Sequence, residues 1–239
     1  MPLDADIAPA LHSVRRRIEA AAHRVSRRPE DITLVAVSKT VPAERVRLAA
    51  ELGQRVFGEN RVQEGQLKAA ALQDLALDWH LIGHLQSNKA RKAVATFGWI
   101  QSIDGEDLLK KVDAAAAELG VRRTILLQVD LAHEATKFGA DRQAIDTLAR
   151  RALESRSLDL AGLMTVPPVP ETPEGSRPWF RQLRLLRDEL VDGGIPGTAL
   201  GHLSMGMSDD FEVAIEEGAT IVRVGSSIFG RRTPPVAPA

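Results

Sequence analysis

Lysine is scarce in this 239-residue chain, and the position of one lysine suggests imine chemistry. The 31 basic residues are 24 Arg and 7 Lys. Lys39 directly follows Leu34-Val35-Ala36-Val37-Ser38, a run typical of a buried strand. At the mouth of an α/β barrel, desolvation would lower the pKa of such a lysine and make a neutral amine available for a Schiff base. The alternative is a solvated lysine at a strand end.

Two segments rich in glycine and serine indicate a possible anion site. They are Leu203-Ser204-Met205-Gly206-Met207-Ser208 and Val224-Gly225-Ser226-Ser227. Small loops of this kind let backbone N–H groups approach a phosphate, and loops after strands 7 and 8 of a barrel often do so. Ordinary turns use the same residues. Arg223 lies on the strand face of Gly225 and needs a partner, either a ligand or a carboxylate inside the barrel.

Composition and spacing exclude several kinds of site. The chain has no Cys and no Tyr, which excludes disulfides, thiolate ligands, a thiol nucleophile and a phenol acid or base. His80 and His84 are four residues apart in a strand-and-turn pattern that no carboxylate closely follows, so we expect no zinc site. A net charge of −1 argues against nucleic-acid or membrane partners bound through bulk electrostatics.

These residues must be positioned by an alternation of strands and helices. Eight strand-like runs are predicted at 32–38, 55–58, 79–83, 99–103, 124–130, 158–166, 200–204 and 221–225. Helical spacing occupies 43–52, 106–119, 142–154 and 179–191, and an extra helix at about 8–26 precedes the first strand. This order favours a (β/α)₈ barrel. An open doubly wound sheet is less favoured because no turn carries G-x-G-x-x-G.

The predicted barrel occupies a single domain. We assign residues 1–232 to it and expect residues 233–239, which are rich in proline, to be disordered. The proline-rich stretch 167–173 is expected to be a stiff loop at the functional face. The acidic start of the chain lacks a secretory pattern, so a cytoplasmic location is the default expectation.

Several blocks of residues, in this order, resemble one family. They are Val37-Ser38-Lys39-Thr40, Phe57-Gly58-Glu59-Asn60, Trp79-His80-Leu81-Ile82-Gly83-His84-Leu85-Gln86-Ser87-Asn88-Lys89, Leu203-Ser204-Met205-Gly206-Met207-Ser208-Asp209-Asp210 and Arg223-Val224-Gly225-Ser226-Ser227-Ile228-Phe229-Gly230. Over about residues 7–231 the chain resembles the YggS/PROSC family of pyridoxal phosphate homeostasis proteins. The resemblance implies the barrel of the alanine racemase N-terminal domain carrying pyridoxal 5′-phosphate (PLP).

The resemblance also implies roles for particular residues. Lys39 would form the internal aldimine, and Ser204, Gly225 and Ser226 would bind the phosphate. Arg223 would face the pyridine nitrogen, and Asn60 would lie close to the cofactor. The chain departs from the family around its fifth strand, where it reads Val129-Asp130-Leu131-Ala132-His133-Glu134.

The expected function is that of a PLP carrier without significant amino-acid turnover. A charged Arg opposite the pyridine nitrogen weakens the electron sink. Racemases of this fold use a Lys and a Tyr from a second domain, whereas this chain has no Tyr and ends after the eighth strand. The alternatives are a PLP-dependent racemase or lyase using Lys39 as base, and a phosphate-binding barrel without PLP. Apo PLP-dependent enzymes are the expected partners of a monomer, and Lys137 is a candidate relay amine for PLP release.

Overall fold

Eight parallel strands close into a barrel in this computed structural model, which describes residues 6–132 and 138–230. The order β4-β3-β2-β1-β9-β8-β7-β5 closes through pairing of β4 with β5. The predicted barrel is therefore confirmed. Its strands are β1 Thr33–Val37, β2 Val56–Glu59, β3 Asp78–Leu81, β4 Trp99–Ile103, β5 Arg123–Asp130, β7 Leu158–Thr165, β8 His202–Ser204 and β9 Ile221–Val224.

A ninth strand, which the sequence pattern did not predict, lies outside the ring. The strand β6, Ala140–Asp141, pairs in parallel with β5 through Val129 and Ala140. Gly139 precedes it with φ +145°, and a Cβ there would lie 2.5 Å from the backbone nitrogen of Asp130. Two residues are too few to produce a periodic signal, so only the tertiary contact defines this strand.

Helices surround the ring, and the five whose ranges were predicted begin and end within three residues of those ranges. They are α1 Ile7–Arg24, α2 Ala43–Glu51, α3 Val62–Ala71, α4 Ala90–Thr96, α5 Glu106–Leu119, α6 Ile145–Leu153, α7 Arg177–Asp192, α8 Phe211–Glu216 and α9 Ser226–Phe229. The extra N-terminal helix α1 is present and packs against α2, α8 and α9. It buries Leu11, Val14 and Ile18, which are spaced as one helical face.

The interior of the barrel is a separate, smaller core. Most buried apolar residues form one layer between the strands and the helices. Val35, Leu126, Met164 and Ile221 form a second cluster. Because side chains alternate along a strand, Val37 of β1 shares the face of Val35, and Arg223 of β9 shares the face of Ile221. Polar groups therefore follow an apolar layer toward the carboxyl end of the barrel.

The proline-rich stretch connects β7 to α7 at the carboxyl end of the barrel. Val169 in it is 86% exposed, and a 3₁₀ turn at Pro173–Ser176 leads into α7. Among the residues that the structure describes, no helix has the length and apolar character needed to span a bilayer.

Candidate functional site

Strand pairing brings most of the predicted site residues to one end of the barrel. In the register, Ala36 of β1 is opposite Val224 of β9, and Val37 is opposite Gly58 of β2. Lys39, Asn60 and Gly225 follow these three neighbouring strands at their carboxyl ends. In barrels of this class the carboxyl end carries the active site.

The backbone is held on both sides of Lys39. The Ser38 carbonyl oxygen accepts a hydrogen bond from Lys68 Nζ at 2.5 Å. The Thr40 backbone N–H donates to Glu64 Oε1 at 2.5 Å. Thr40 has φ +64°, a left-handed conformation that costs energy for a β-branched residue. These contacts fix the turn that presents the partly buried Lys39 side chain.

Beneath this turn lies a buried ion cluster that sequence reasoning did not single out. Lys68 Nζ lies 2.7 Å from both Glu59 Oε1 and Glu64 Oε1, and Ser38 Oγ donates to Glu59 Oε1 at 2.7 Å. Glu59 is fully buried and its Oε2 has no hydrogen-bond partner. Burial raises the pKa of Glu59, and the hydrogen bonds from Lys68 and Ser38 partly oppose that rise. The cluster therefore stabilises the site while leaving one carboxylate oxygen uncompensated.

Arg223 is a buried cation in the barrel interior. Its Nη1 donates to Ser204 Oγ at 2.6 Å and its Nη2 to the Thr165 carbonyl oxygen at 2.8 Å. Burial lowers the pKa of Arg223 to about 10, so the group stays charged at neutral pH. Among the described residues its hydrogen-bond partners are neutral oxygens and include no carboxylate. The carboxylate of Asp210 partly offsets the cost of burying this charge and so opposes the fall in the pKa of Arg223, but in the part of the chain that the structure describes it forms no hydrogen bond with the guanidinium. A buried cation without a hydrogen-bonded ion pair leaves room for a ligand as a further partner.

Ser204 occupies a different environment from the predicted phosphate loop. It is fully buried, accepts from Arg223, and donates to Gln101 Oε1 at 2.6 Å. A hydroxyl has one proton, and this one is committed to Gln101. The geometry thus favours an orienting role toward Arg223 for the Ser204 side chain.

The loops after β8 and β9 do meet, through a serine that we did not select from the sequence. Ser208 Oγ accepts from the backbone N–H groups of Gly225 at 3.3 Å and Ser227 at 3.4 Å. Ser226, between them, is exposed. A Cβ on Gly225 would lie 3.1 Å from the Val37 carbonyl oxygen, so this position favours glycine because β1 is so close. The Ser208 hydroxyl thus joins the two loops through long hydrogen bonds, and an anion bound here would replace that hydroxyl as the acceptor of the two N–H groups.

Asn60, at the carboxyl end of β2, has an unpaired polar atom. Its Oδ1 is buried without a hydrogen-bond partner. Its backbone packs against Gly83, where a Cβ would lie 2.3 Å from the Asn60 carbonyl oxygen. A buried amide left unsatisfied is the expected state of a group that binds a polar ligand.

The two histidines that we considered together are separated in the structure. His80 lies inside the barrel beside Gln101, whereas His84 lies at the rim, 3.2 Å from Asp104 and stacked on Phe138. A rim groove of about 580 Å³ runs past His84 and Asp104 but does not include Lys39 or Arg223. The candidate relay residue, Lys137, lies outside the described residues.

The residues that sequence reasoning missed are polar positions on the inner faces of strands. Gln101 is the clearest case, because it is fully buried in the middle of β4. Its polar side chain at an inward position was the available signal. Ser208 stood in a quoted block, but nothing in its spacing distinguished it from Ser204.

Comparisons with known proteins agree with this geometry. The family model described as alanine racemase, N-terminal domain, matches residues 10–233. The pyridoxal phosphate homeostasis protein of Aquifex aeolicus is 45% identical over 222 residues, covering 93% of this chain and 96% of the relative. That of Escherichia coli K12 is 43% identical over 234 residues, covering 95% and 97%.

A solved structure extends the likeness to three dimensions. PipY of Synechococcus elongatus PCC7942, in a structure with PLP bound, has a TM-score of 0.83 and 42% sequence identity. The match covers 94% of this chain and all of that one. The similarity therefore extends over nearly the whole barrel.

Proposed function

Because this chain belongs to the pyridoxal phosphate homeostasis protein family, built on the alanine racemase N-terminal fold, we propose that it binds PLP at the carboxyl end of the barrel. It would hold the aldehyde reversibly on Lys39 and serve intracellular PLP homeostasis without significant amino-acid turnover. The relatives' names and the PLP-bound PipY structure support the binding. The observation that carries the proposal is Arg223, a buried cation whose side-chain hydrogen bonds go to neutral oxygens.

The residues present fit the parts of PLP. Lys39 supplies the amine at a turn held on both sides. The Gly225 N–H, which donates a long hydrogen bond to Ser208 Oγ, and the exposed Ser226 would bind the phosphate. Asn60, whose unpaired amide oxygen can only accept, would lie close to another part of the cofactor. Arg223 would face the pyridine nitrogen. When bound, PLP supplies a reactive aldehyde and an electron sink that is strongest with a protonated ring nitrogen.

The same residues argue for storage over turnover. Arg223 remains charged at neutral pH, and a cation opposite the ring nitrogen disfavours protonation of that nitrogen. No tyrosine is present in the sequence to act as a second acid or base. The protein would therefore protect the aldehyde and release it to apo PLP-dependent enzymes. We place this exchange in the cytoplasm and assign it to a monomer.

The test is to locate the imine. Wild-type protein loaded with PLP is reduced with borohydride, and the modified peptide is mapped. We expect the adduct on Lys39, and loss of the imine absorbance band in Lys39→Ala. Lys110→Ala is the control, because the Lys110 side chain is 69% exposed and pairs with Glu106 on the same helix. An adduct on another lysine of the wild-type protein would refute the role of Lys39.

A second measurement tests the absence of turnover. The loaded protein is incubated with a panel of L- and D-amino acids, and keto acids and enantiomers are quantified. We expect no sustained product formation. Repeated turnover would instead make the protein a PLP-dependent racemase or lyase.

A further inference from the structure

A continuous chain of hydrogen bonds crosses the barrel interior below the candidate site. Arg223 Nη1 donates to Ser204 Oγ at 2.6 Å, and Ser204 Oγ lies 2.6 Å from Gln101 Oε1. Gln101 Nε2 lies 2.8 Å from His80 Nδ1, and His80 Nε2 lies 3.2 Å from Asp78 Oδ2. The middle three residues are at most 2% exposed, whereas the Asp78 side chain is 44% exposed. The chain thus links the buried cation to the opposite end of the barrel.

The bond directions in this chain follow from the guanidinium at one end and from the orientation of the Gln101 amide. A guanidinium only donates, so Ser204 accepts from Arg223 and gives its single proton to the oxygen of Gln101. The amide nitrogen of Gln101 then donates to Nδ1 of His80, which must be unprotonated. With Nδ1 bare, the ring proton of His80 is on Nε2 and faces Asp78 Oδ2.

Packing holds the imidazole of His80 in the plane that this arrangement requires. The ring of Trp99 stacks on it, with centroids 5.0 Å apart and an interplanar angle of 15°. His202 contacts the edge of the same Trp99 ring. Rotation of His80 would break both the stacking and the bond to Gln101.

We infer that Gln101 and His80 are positioning residues that set the orientation of the Arg223 guanidinium by fixing Ser204 as its acceptor. This inference rests on the proposed role of Arg223 toward the pyridine ring. If the amide of Gln101 turned over, its nitrogen would face Ser204, and the serine proton would lose its acceptor. The orientation of Gln101 is what prevents this, and His80 fixes it by offering a bare nitrogen.

The inference makes a prediction about Ser204 that differs from a phosphate role. A residue that orients Arg223 acts on the ring of the ligand, which pyridoxal and PLP share. Ser204→Ala and Gln101→Leu should therefore weaken PLP and pyridoxal by the same factor, roughly tenfold, which corresponds to about one lost hydrogen bond. A phosphate ligand would weaken PLP alone.

The first measurement needs no ligand. Nitrogen-15 NMR of the imidazoles in wild-type protein should place the His80 proton on Nε2, with Nδ1 bare. The assignment comes from the signal that disappears in His80→Asn. A His80 proton on Nδ1 in wild-type protein would overturn the inference, whatever the protein binds.

The second measurement compares variants that keep or remove the acceptor. His80→Asn retains an oxygen near the position of Nδ1, whereas His80→Leu does not. We expect His80→Asn to keep near-wild-type affinity for both ligands and the wild-type pH profile of the imine band. His80→Leu should lose affinity like Gln101→Leu and shift that profile.

Urea unfolding curves identify the variants that are folded, and affinities are compared only among those. A loss of affinity in a folded variant then reports positioning and not unfolding. Unchanged affinity in folded Gln101→Leu, or a loss confined to PLP in Ser204→Ala, would overturn the inference. If both leucine variants fail to fold, the Ser204→Ala comparison decides. If wild-type protein binds no PLP at all, the proposed function fails, and the His80 proton assignment is still decided by NMR.

Discussion

Replacing Lys68 by methionine tests the buried cluster that holds the Lys39 turn. The change removes the charge that compensates Glu59, which is fully buried, and leaves Ser38 as its hydrogen-bond donor. Breaking a buried pair by removing one partner costs about 3–5 kcal/mol. Protonation of Glu59 sets an upper limit on that loss. If Glu59 is protonated in the folded variant, folding costs about 1.36 kcal/mol for each pH unit by which the solution lies above its ordinary pKa of 4.5.

The limit predicts a pH-dependent loss of stability. For Lys68→Met we expect the contribution of Glu59 to the loss to be at most about 3 kcal/mol at pH 7 and at most about 1 kcal/mol at pH 5. The sign follows from Glu59: as pH falls, the unfolded chain also binds the proton, and the difference between the states shrinks. Urea unfolding of wild type and variant at both pH values measures the two losses.

The matched control is Lys110→Met. Lys110 also has a glutamate four residues earlier, Glu106, at 3.5 Å, but both side chains are exposed. We expect it to lose under about 0.5 kcal/mol at either pH, as surface pairs usually do. A loss for Lys68→Met that is equally small, or equal at pH 5 and pH 7, would refute the view of Glu59 as a buried carboxylate compensated by Lys68.

Three further changes test the fold and the anion site. Gly225→Ala would place a Cβ 3.1 Å from the Val37 carbonyl oxygen and so displace the backbone N–H groups of the loop. Titrations should then show a larger loss of affinity for PLP than for pyridoxal. Equal losses would contradict a phosphate role for this loop. Gly162→Ala would place a Cβ 1.9 Å from the His202 carbonyl oxygen and should cost at least about 3 kcal/mol in urea unfolding, whereas Gly197→Ala, with open space around it, should be nearly neutral. Burial lowers the pKa of His202, so as the pH falls the unfolded chain binds the proton before the folded chain does. The free energy of unfolding of the wild type should therefore fall more steeply below about pH 6.5 than that of His202→Gln. Parallel plots of unfolding free energy against pH would contradict this.

The sequence by itself determined the barrel and the end of it that carries the site. Its apolar runs alternate with helical spacing, and each of the eight ring strands lies within two residues of its predicted bounds. Lys39 and Gly225 could be placed at strand ends because the periodicity of two fixes which residues follow a strand. The family blocks added the ligand, since spacing alone left a plain turn as an alternative.

The tertiary structure decided which polar groups contact one another. Arg223, Ser204, Gln101 and His80 come from four different strands, and no local pattern encodes that their side chains meet inside the ring. The same holds for Lys68, a helix residue whose burial depends on the β1 turn packing over it. The hydroxyl of Ser204 illustrates the physical reason: its residue type fits a phosphate loop, but its single proton goes to whichever acceptor the closed barrel brings within reach.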